Sequence, residues 1–400
     1  MSHFATQGGP KLNFDDIPSW KPRSPPRPFA NTLQKEKVTR PTTCRMATPA
    51  EDAWPQTMRA WTYNSASGGL DKALQLQAST PPPPKTLLGK DSVLVRVSQM
   101  SLNPADYKLP ELGLLSKLMI PMPASPGMDF SGTVAAVGSD VEAYQPGQKV
   151  FGRVEPIRNK YGALAEYVVA KDGGAIAAAP QGWGDSMDQL ACVGTCGLTA
   201  LQSIQPYAAA AGDRVFINGG SGGTGTFGIQ IAKALGLHVT VSCSGANAGL
   251  CRGLGADEVV DYKEQDVSEV LKAKGKVFRL VVDNVGYTPP GQEDLYTAAN
   301  AFLLDDGHFV QVGGGASASQ IRSVVSRSFV PGFLGGGKRK FVMVVTKQSH
   351  EGLARIGEWM KEGKIKAVID EVFQYEDAPK AYTKLKTGRA KGKIVVVVAK

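Results

Sequence analysis

Gly220-Ser-Gly-Gly-Thr-Gly225 narrows the folds open to this chain more than any other stretch. It follows a run of strand formers, Arg214-Val-Phe-Ile-Asn218, and precedes a helical pattern from Thr226 to Leu235. Glycines at this spacing have separate tasks. The first allows the tight turn, the second lets a pyrophosphate approach the backbone, and the third packs helix against strand. The helix start then presents N–H groups to the phosphates. The motif predicts a dinucleotide site in a strand–turn–helix unit.

The surrounding pattern agrees with that unit. Strands are expected at His238–Ser242, Glu258–Asp261, Arg279–Asp283, His308–Val312 and Lys340–Val345, with helices at 246–254, 267–274 and 349–362. Strands alternating with helices imply a parallel sheet covered on both faces. Before residue 185 the rhythm differs. Short β-rich runs (Met58–Tyr63, Ser92–Ser98, Phe130–Val137, Gln148–Gly152 and Ala163–Ala170) are separated by Gly and Pro, which suggests a small barrel-like domain. Ile394–Val398 reads as a last strand returning to it. The expected fold class is α/β, a doubly wound Rossmann sheet plus a β-barrel. Its parts would be an N-terminal extension (1–57), a barrel domain (58–185), a nucleotide-binding domain (186–363) and a return segment (364–400).

With 400 residues and 42% hydrophobic content, the chain can bury two ordinary cores. The formal charge of +9 favours anionic ligands. No Lys/Arg block or stripe marks a nucleic-acid face. No apolar run approaches the ~20 residues of a membrane helix. Five cysteines at irregular spacing point to reduced thiols and a cytoplasmic protein rather than a disulfide frame. Residues 1–57 are rich in Pro, Ser, Thr and Arg with no apolar period, so disorder is expected there. That segment reads either as a dispensable tail, with Met46 or Met58 as the working start, or as a transit peptide that would make the protein mitochondrial. Asp15 and Asp16 weaken the second reading.

The end of the second Rossmann strand bears on the choice of nucleotide. An acid there would hold a ribose 2′-hydroxyl and repel a 2′-phosphate. Ser242-Cys-Ser-Gly-Ala-Asn247 carries none, which permits NADPH, with Ser244 as a donor. Arg252 either adds charge or is simply solvated.

Several further motifs accumulate: Ser101-Leu-Asn-Pro-Ala-Asp-Tyr107, Gly127-Met-Asp-Phe-Ser-Gly-Thr-Val134, Gly197-Leu-Thr-Ala200, Leu254-Gly-Ala-Asp-Glu-Val259 and Gly388-Arg-Ala-Lys-Gly-Lys-Ile-Val395. With the glycine loop, they make residues 58–400 resemble the medium-chain dehydrogenase/reductase superfamily, in its zinc-independent quinone-oxidoreductase branch. The resemblance implies a GroES-like catalytic barrel. It places Gly220, Gly222, Gly223 and Gly225 at the pyrophosphate with Ser221 and Thr224 beside them. Ser244 and Tyr262 fall at the 2′-phosphate, where Asn247 replaces the lysine common in the branch. Asn103 and Thr199 match positions near the nicotinamide. Asn284 and Gly313 end strands bordering the cofactor, and Lys393 is a basic residue near the site. Asn103 is also an expected catalytic residue. Tyr107 is either the proton donor or a packed tyrosine, and Tyr63 is a weaker candidate. The resemblance further implies a homodimer joined through the edge strand Lys340–Val345.

Zinc-dependent relatives place Cys where this chain has Asn103, and Gly-His-Glu where it has Gly127-Met128-Asp129. Neither Asn103 nor Met128 suits a catalytic zinc, and Cys192 and Cys196 read as small core residues. A metal-free site is therefore expected. Without a Lewis acid, simple alcohol oxidation is hard. Hydride transfer from NADPH to a quinone, enone or enoyl thioester is easier, because the charge spreads into a carbonyl or ring. The open alternatives are a trans-acting enoyl reductase of a polyketide pathway and a cofactor-binding protein without turnover. The segment 329–340, apolar and then basic, reads as a substrate lid or a solvated loop.

Overall fold

The computed structural model describes residues 54–399 apart from 175, 185, 209, 289–290, 315–321, 323 and 328–337. Residues 1–53 and most of the candidate lid therefore lie outside the described residues. Everything described below belongs to the unit Pro49–Lys400.

The chain enters through β1 (Met58–Thr62) and β2 (Gln75–Thr80), an antiparallel pair. Next come β3 (Ser92–Ser101), β4 (Asp129–Val137), β5 (Lys149–Arg153), β6 (Tyr167–Lys171) and β7 (Ile176–Ala178). The second part holds β8 (Arg214–Asn218), β9 (His238–Cys243), β10 (Glu258–Asp261), β11 (Phe278–Asp283), β12 (Leu303–Gln311) and β13 (Lys340–Met343). The chain closes with β14 (Ile369–Gln374) and β15 (Lys393–Val397).

Six strands make one sheet in the order β10-β9-β8-β11-β12-β13. Each neighbouring pair in it is parallel. This is the doubly wound order whose strand direction of travel reverses beside the first strand, β8. Ligands of such sheets bind outside the carboxyl ends of the strands at that point. The edge strand on one side is β13. The other sheet runs β14-β15-β3-β4-β5-β7, with β6 also paired to β3.

The run Ile394-Val-Val-Val-Val398 shows why the two sheets act as one body. Alternate side chains of a strand face opposite ways. Ile394 and Val396 join the barrel core with Val95, Phe130 and Val150. Val395 joins the nucleotide-domain core with Ile217, Val241 and Phe227. A strand buried on both faces reads as an unbroken apolar run, as this one does. The helix His350–Lys361 is the amphipathic counterpart. It buries Leu353, Ile356 and Met360 along one stripe and is capped by Ser349, whose Oγ accepts the Gly352 N–H at 3.0 Å.

Several expected boundaries shift; β12 begins at Leu303 rather than His308, β3 runs on to Ser101 and β13 stops at Met343. The helix after the glycine loop spans Gly223–Ala234, starting before Thr226, because the loop's own glycines form its first turn. The expected helix 246–254 opens instead as a 3₁₀ turn, Gly245–Asn247, before Ala248–Gly253. β6 begins only at Tyr167, since Leu164 and Ala165 pair with β1 instead; the Trp61 N–H donates to Leu164 O at 3.1 Å.

Candidate active site

The glycine loop joins the end of β8 to the helix Gly223–Ala234. Its geometry follows from two close approaches. A Cβ on Gly225 would lie 2.2 Å from Gly219 O, so only glycine lets the helix sit this close to the turn. A Cβ on Gly223 would lie 2.9 Å from Cys196 Sγ and 3.2 Å from Lys393 Cδ. The loop is fastened on both sides. The Gly219 N–H donates to Ser242 Oγ at 3.0 Å, and the Gly392 N–H donates to Ser221 O at 3.0 Å. Gly222 is the helix N-cap and no side chain caps this end. The first N–H groups of the helix are thus left for an anion.

The C-terminal ends of the strands supply the rest of the crevice. Asn284 follows β11, and both atoms of its side-chain amide are buried without a partner. Such a group is costly unless a ligand satisfies it. Gly313 packs against Asn284 O. Ser244 precedes the 3₁₀ turn after β9, and Tyr262 follows β10 with half of its surface exposed. Asn247 Nδ2 donates to Ser221 Oγ at 3.1 Å, tying the turn after β9 to the glycine loop. Uncapped helix N–H groups, an orphaned amide and glycines in close contact together fit a nicotinamide dinucleotide.

A buried polar cluster lies against this loop on the barrel side. Lys393, at the start of β15, is 2% exposed. Its Nζ donates to Asn103 Oδ1 at 2.6 Å, to Leu102 O at 2.8 Å and to Cys196 Sγ at 3.5 Å. Asp129 Oδ2 stands 3.5 Å from the same ammonium. It accepts the Asn103 amide at 2.9 Å, while Asp129 Oδ1 accepts the Thr195 hydroxyl at 2.6 Å. Burial works against the Lys393 charge, but Cys196, Asp129, Cys192 and Asp106 around it more than offset this and raise its pKa. Thr199 bonds Thr195 O at 2.7 Å and meets the Thr346 hydroxyl, one turn further along the same wall.

The cluster also answers whether zinc fits. Asn103 and Met128 provide no zinc ligand pair, and Met128 Sδ instead faces Arg153 Nη2 at 3.7 Å. Among the described residues, no group of three or more His, Cys, Asp or Glu is placed to hold a metal. The space between Asn103, Cys196 and Asp129 holds the lysine ammonium. The residues present do not fit a catalytic zinc.

Tyr107 packs against the barrel core. Lys386 Nζ sits 5.7 Å from its ring centroid, and Lys386 bonds Asp71 and Glu111. Tyr63 is 2% exposed and lines a cavity of about 20 Å³ with Ala105, Asp106, Ser125, Pro126 and Gly127. Several members of the site escaped the sequence reading, Asp129 and Thr195 among them. Cys196 is a core thiol, as expected, yet its sulfur also touches Lys393 and Asn103, and nothing in sequence separates those cases. Asp106 sits at the third position of the short helix Pro104–Lys108, where a carboxylate reads as an ordinary cap.

The family models for an alcohol dehydrogenase GroES-like domain and for a zinc-binding dehydrogenase match residues 89–181 and 254–396. The chain belongs to the medium-chain dehydrogenase/reductase superfamily, in its quinone-oxidoreductase branch, and is an oxidoreductase that uses a nicotinamide cofactor. Its relatives narrow this further. It is 47% identical over 354 residues to the trans-enoyl reductase pgmF of Aspergillus terreus, covering 86% of this chain and 97% of that one. It is 35% identical to the zinc-type alcohol dehydrogenase-like protein C16A3.02c of Schizosaccharomyces pombe, covering 85% and 96%. Among solved structures, the quinone oxidoreductase from Coxiella burnetii superposes with a TM-score of 0.70 at 30% identity, covering 86% of this chain and 99% of that one. No helix among the described residues is long and apolar enough to cross a membrane.

Proposed function

We propose that this protein is a metal-independent, NADPH-dependent reductase of α,β-unsaturated acyl groups, a trans-acting enoyl reductase. The observation that carries the reading is the lysine ammonium at the centre of the buried cluster, where a metal-dependent oxidoreductase would need an open coordination position. The near full-length similarity to a trans-enoyl reductase supports the enoyl substrate. When bound, the cofactor supplies a hydride to the electron-poor carbon.

The chain's residues then act as follows. The N–H groups at the start of the helix Gly223–Ala234 hold the pyrophosphate, with Ser221 and Thr224 beside it. Asn284 donates to the cofactor through its orphaned amide. Ser244 and Tyr262 receive the 2′-phosphate, and no acid on the Ser242–Asn247 turn opposes it. Asp261 does bring a carboxylate against the turn at Gly245, where its Oδ2 would lie 2.3 Å from a Cβ, and that charge works against the phosphate. Lys393 and Asn103 would border the nicotinamide, and Thr199 would lie beside it. Orientation and a fixed positive charge are what such a site contributes to hydride transfer. Pairing of two β13 edge strands would make a homodimer.

The test is NADPH oxidation, with NADH as control, against short enoyl thioesters, enones and quinones. Turnover with enoyl thioesters and NADPH is expected. Turnover confined to quinones would move the substrate assignment, and no turnover with tight NADPH binding would favour a non-catalytic role.

A further inference from the structure

The reduction of a C=C bond needs a proton as well as a hydride. Asp106 is the buried acid nearest the cluster. It is 3% exposed. Its Oδ2 accepts the Asn103 N–H at 2.7 Å, and its Oδ1 is buried with no partner in the protein. An ionised carboxylate with one oxygen so placed is expensive; a protonated one is not.

The groups facing Asp106 reinforce this. Asp129 opposes its charge, while Lys393 and the N–H groups of Asn103 and Met128 favour it. Tyr63 and the fully buried Tyr382, whose hydroxyl is also unpartnered, stand close enough to be raised by the Asp106 charge. Burial dominates and pushes the carboxyl up to about 7, so near neutrality Asp106 holds its proton in a large share of molecules.

The cavity beside it gives the proton a route. Its volume of about 20 Å³ accommodates one water. Its walls include Asp106, Tyr63, Ser125 and Glu155, the last half exposed. Ala105 and Gly127 complete it, each two residues from Asn103 or Asp129 of the cluster that touches the cofactor loop. The Ser125-Pro-Gly-Met-Asp129 segment therefore lines the cavity with one end and anchors Lys393 with the other.

We propose that Asp106 is the proton source of the reaction, acting through a water in this cavity. The proposal rests on the enoyl reductase reading. With the cofactor bound, the β-carbon would take up the hydride and the π pair would move onto the carbonyl oxygen to give an enolate. A water in the cavity gives a proton to the α-carbon and is reprotonated by the Asp106 carboxyl. Asp106 is left ionised and is reprotonated from solvent past Glu155. Electrons and protons balance: one hydride and one proton are added across the double bond.

The experiment compares wild type, D106N and D106E. An infrared carboxylic-acid band should be present at pH 6 and lost above pH 8 in wild type, and absent from the same region in D106N. In wild type, kcat with an enoyl thioester should fall above about pH 7. D106N, with folding checked by circular dichroism and NADPH affinity by fluorescence, should lose about a hundredfold or more in kcat. It should also lose that pH limb, and D106E should restore part of both. A folded D106N with wild-type kcat and pH profile, or a wild type without the band, overturns the assignment while leaving the enoyl reductase reading intact. A wild type that reduces no enoyl substrate overturns the reading and this step with it, whatever the band shows.

Discussion

Lys393 Nζ donates to Asn103 Oδ1 at 2.6 Å across 290 positions of sequence, joining the last strand of the chain to the entry of its catalytic barrel. The bond is buried, and the lysine's other partners are Leu102 O, Cys196 and Asp129. Removing the ammonium strands a carboxylate in the core. Lys393→Met is therefore expected to lower unfolding free energy by about 3–5 kcal/mol, the usual effect of deleting one member of a buried pair. Urea denaturation checks it. Adding Asp129→Asn to Lys393→Met should recover part of the loss, because the stranded charge is gone.

Asn284 makes the opposite prediction. Both of its amide atoms lack partners, so Asn284→Ala gives up no internal bond. Without cofactor, the variant should be as stable as wild type or more stable, by up to about 1–3 kcal/mol, because an unpartnered buried amide is gone. Affinity for NADPH should fall about tenfold, the worth of one hydrogen bond near the upper end of its range. Fluorescence titration and a thermal melt on the same sample separate the two effects. Unchanged affinity would remove Asn284 from the cofactor site.

The sequence exposed what is periodic or glycine-bound and hid what is assembled. The parallel sheet was readable because β8, β9 and β11 are buried apolar runs spaced by helices. β14, Ile-Asp-Glu-Val-Phe-Gln, was not, since it lies at a sheet edge and is largely exposed, so neither alternation nor an apolar run marks it. The glycine loop shows in local spacing. The Lys393–Asn103–Asp129–Cys196 cluster comes from four separated segments. Asn103 and Lys393 were reached only through resemblance, and Cys196 looked like any buried thiol. Sequence alone favours Tyr107, for its closeness to Asn103. Yet its ring lies under Lys386, while Asp106, one residue earlier, faces the cavity.

Gly225 tests the loop directly. A Cβ there would meet Gly219 O at 2.2 Å, against backbone that cannot rotate away. Gly225→Ala should destabilise by about 1–3 kcal/mol, as overpacking does. It should also weaken NADPH binding by displacing the helix N-terminus. Gly249→Ala, on the helix Ala248–Gly253 with nothing within 4 Å of the new methyl, is the matched control and should be neutral or slightly stabilising.

Asp106 also leaves a mark on stability without any substrate. Its folded-state pKa is raised to about 7, against about 3.9 for an unfolded aspartate. Between those values the folded protein binds more protons than the unfolded chain. Stability must then decline as pH rises through that window, and it is greatest, for this group, below about pH 4. Asp283, whose pKa burial also raises, adds a slope of the same sign, while Glu258 and Asp305, held low by lysine and arginine partners, add the opposite one. The comparison must therefore be differential. Asp106→Asn removes only the first contribution, so the gap in urea midpoint between variant and wild type should move in the variant's favour from pH 5 to pH 8. A gap that stays constant over that range would mean that Asp106 ionises in the folded protein as an ordinary carboxylate.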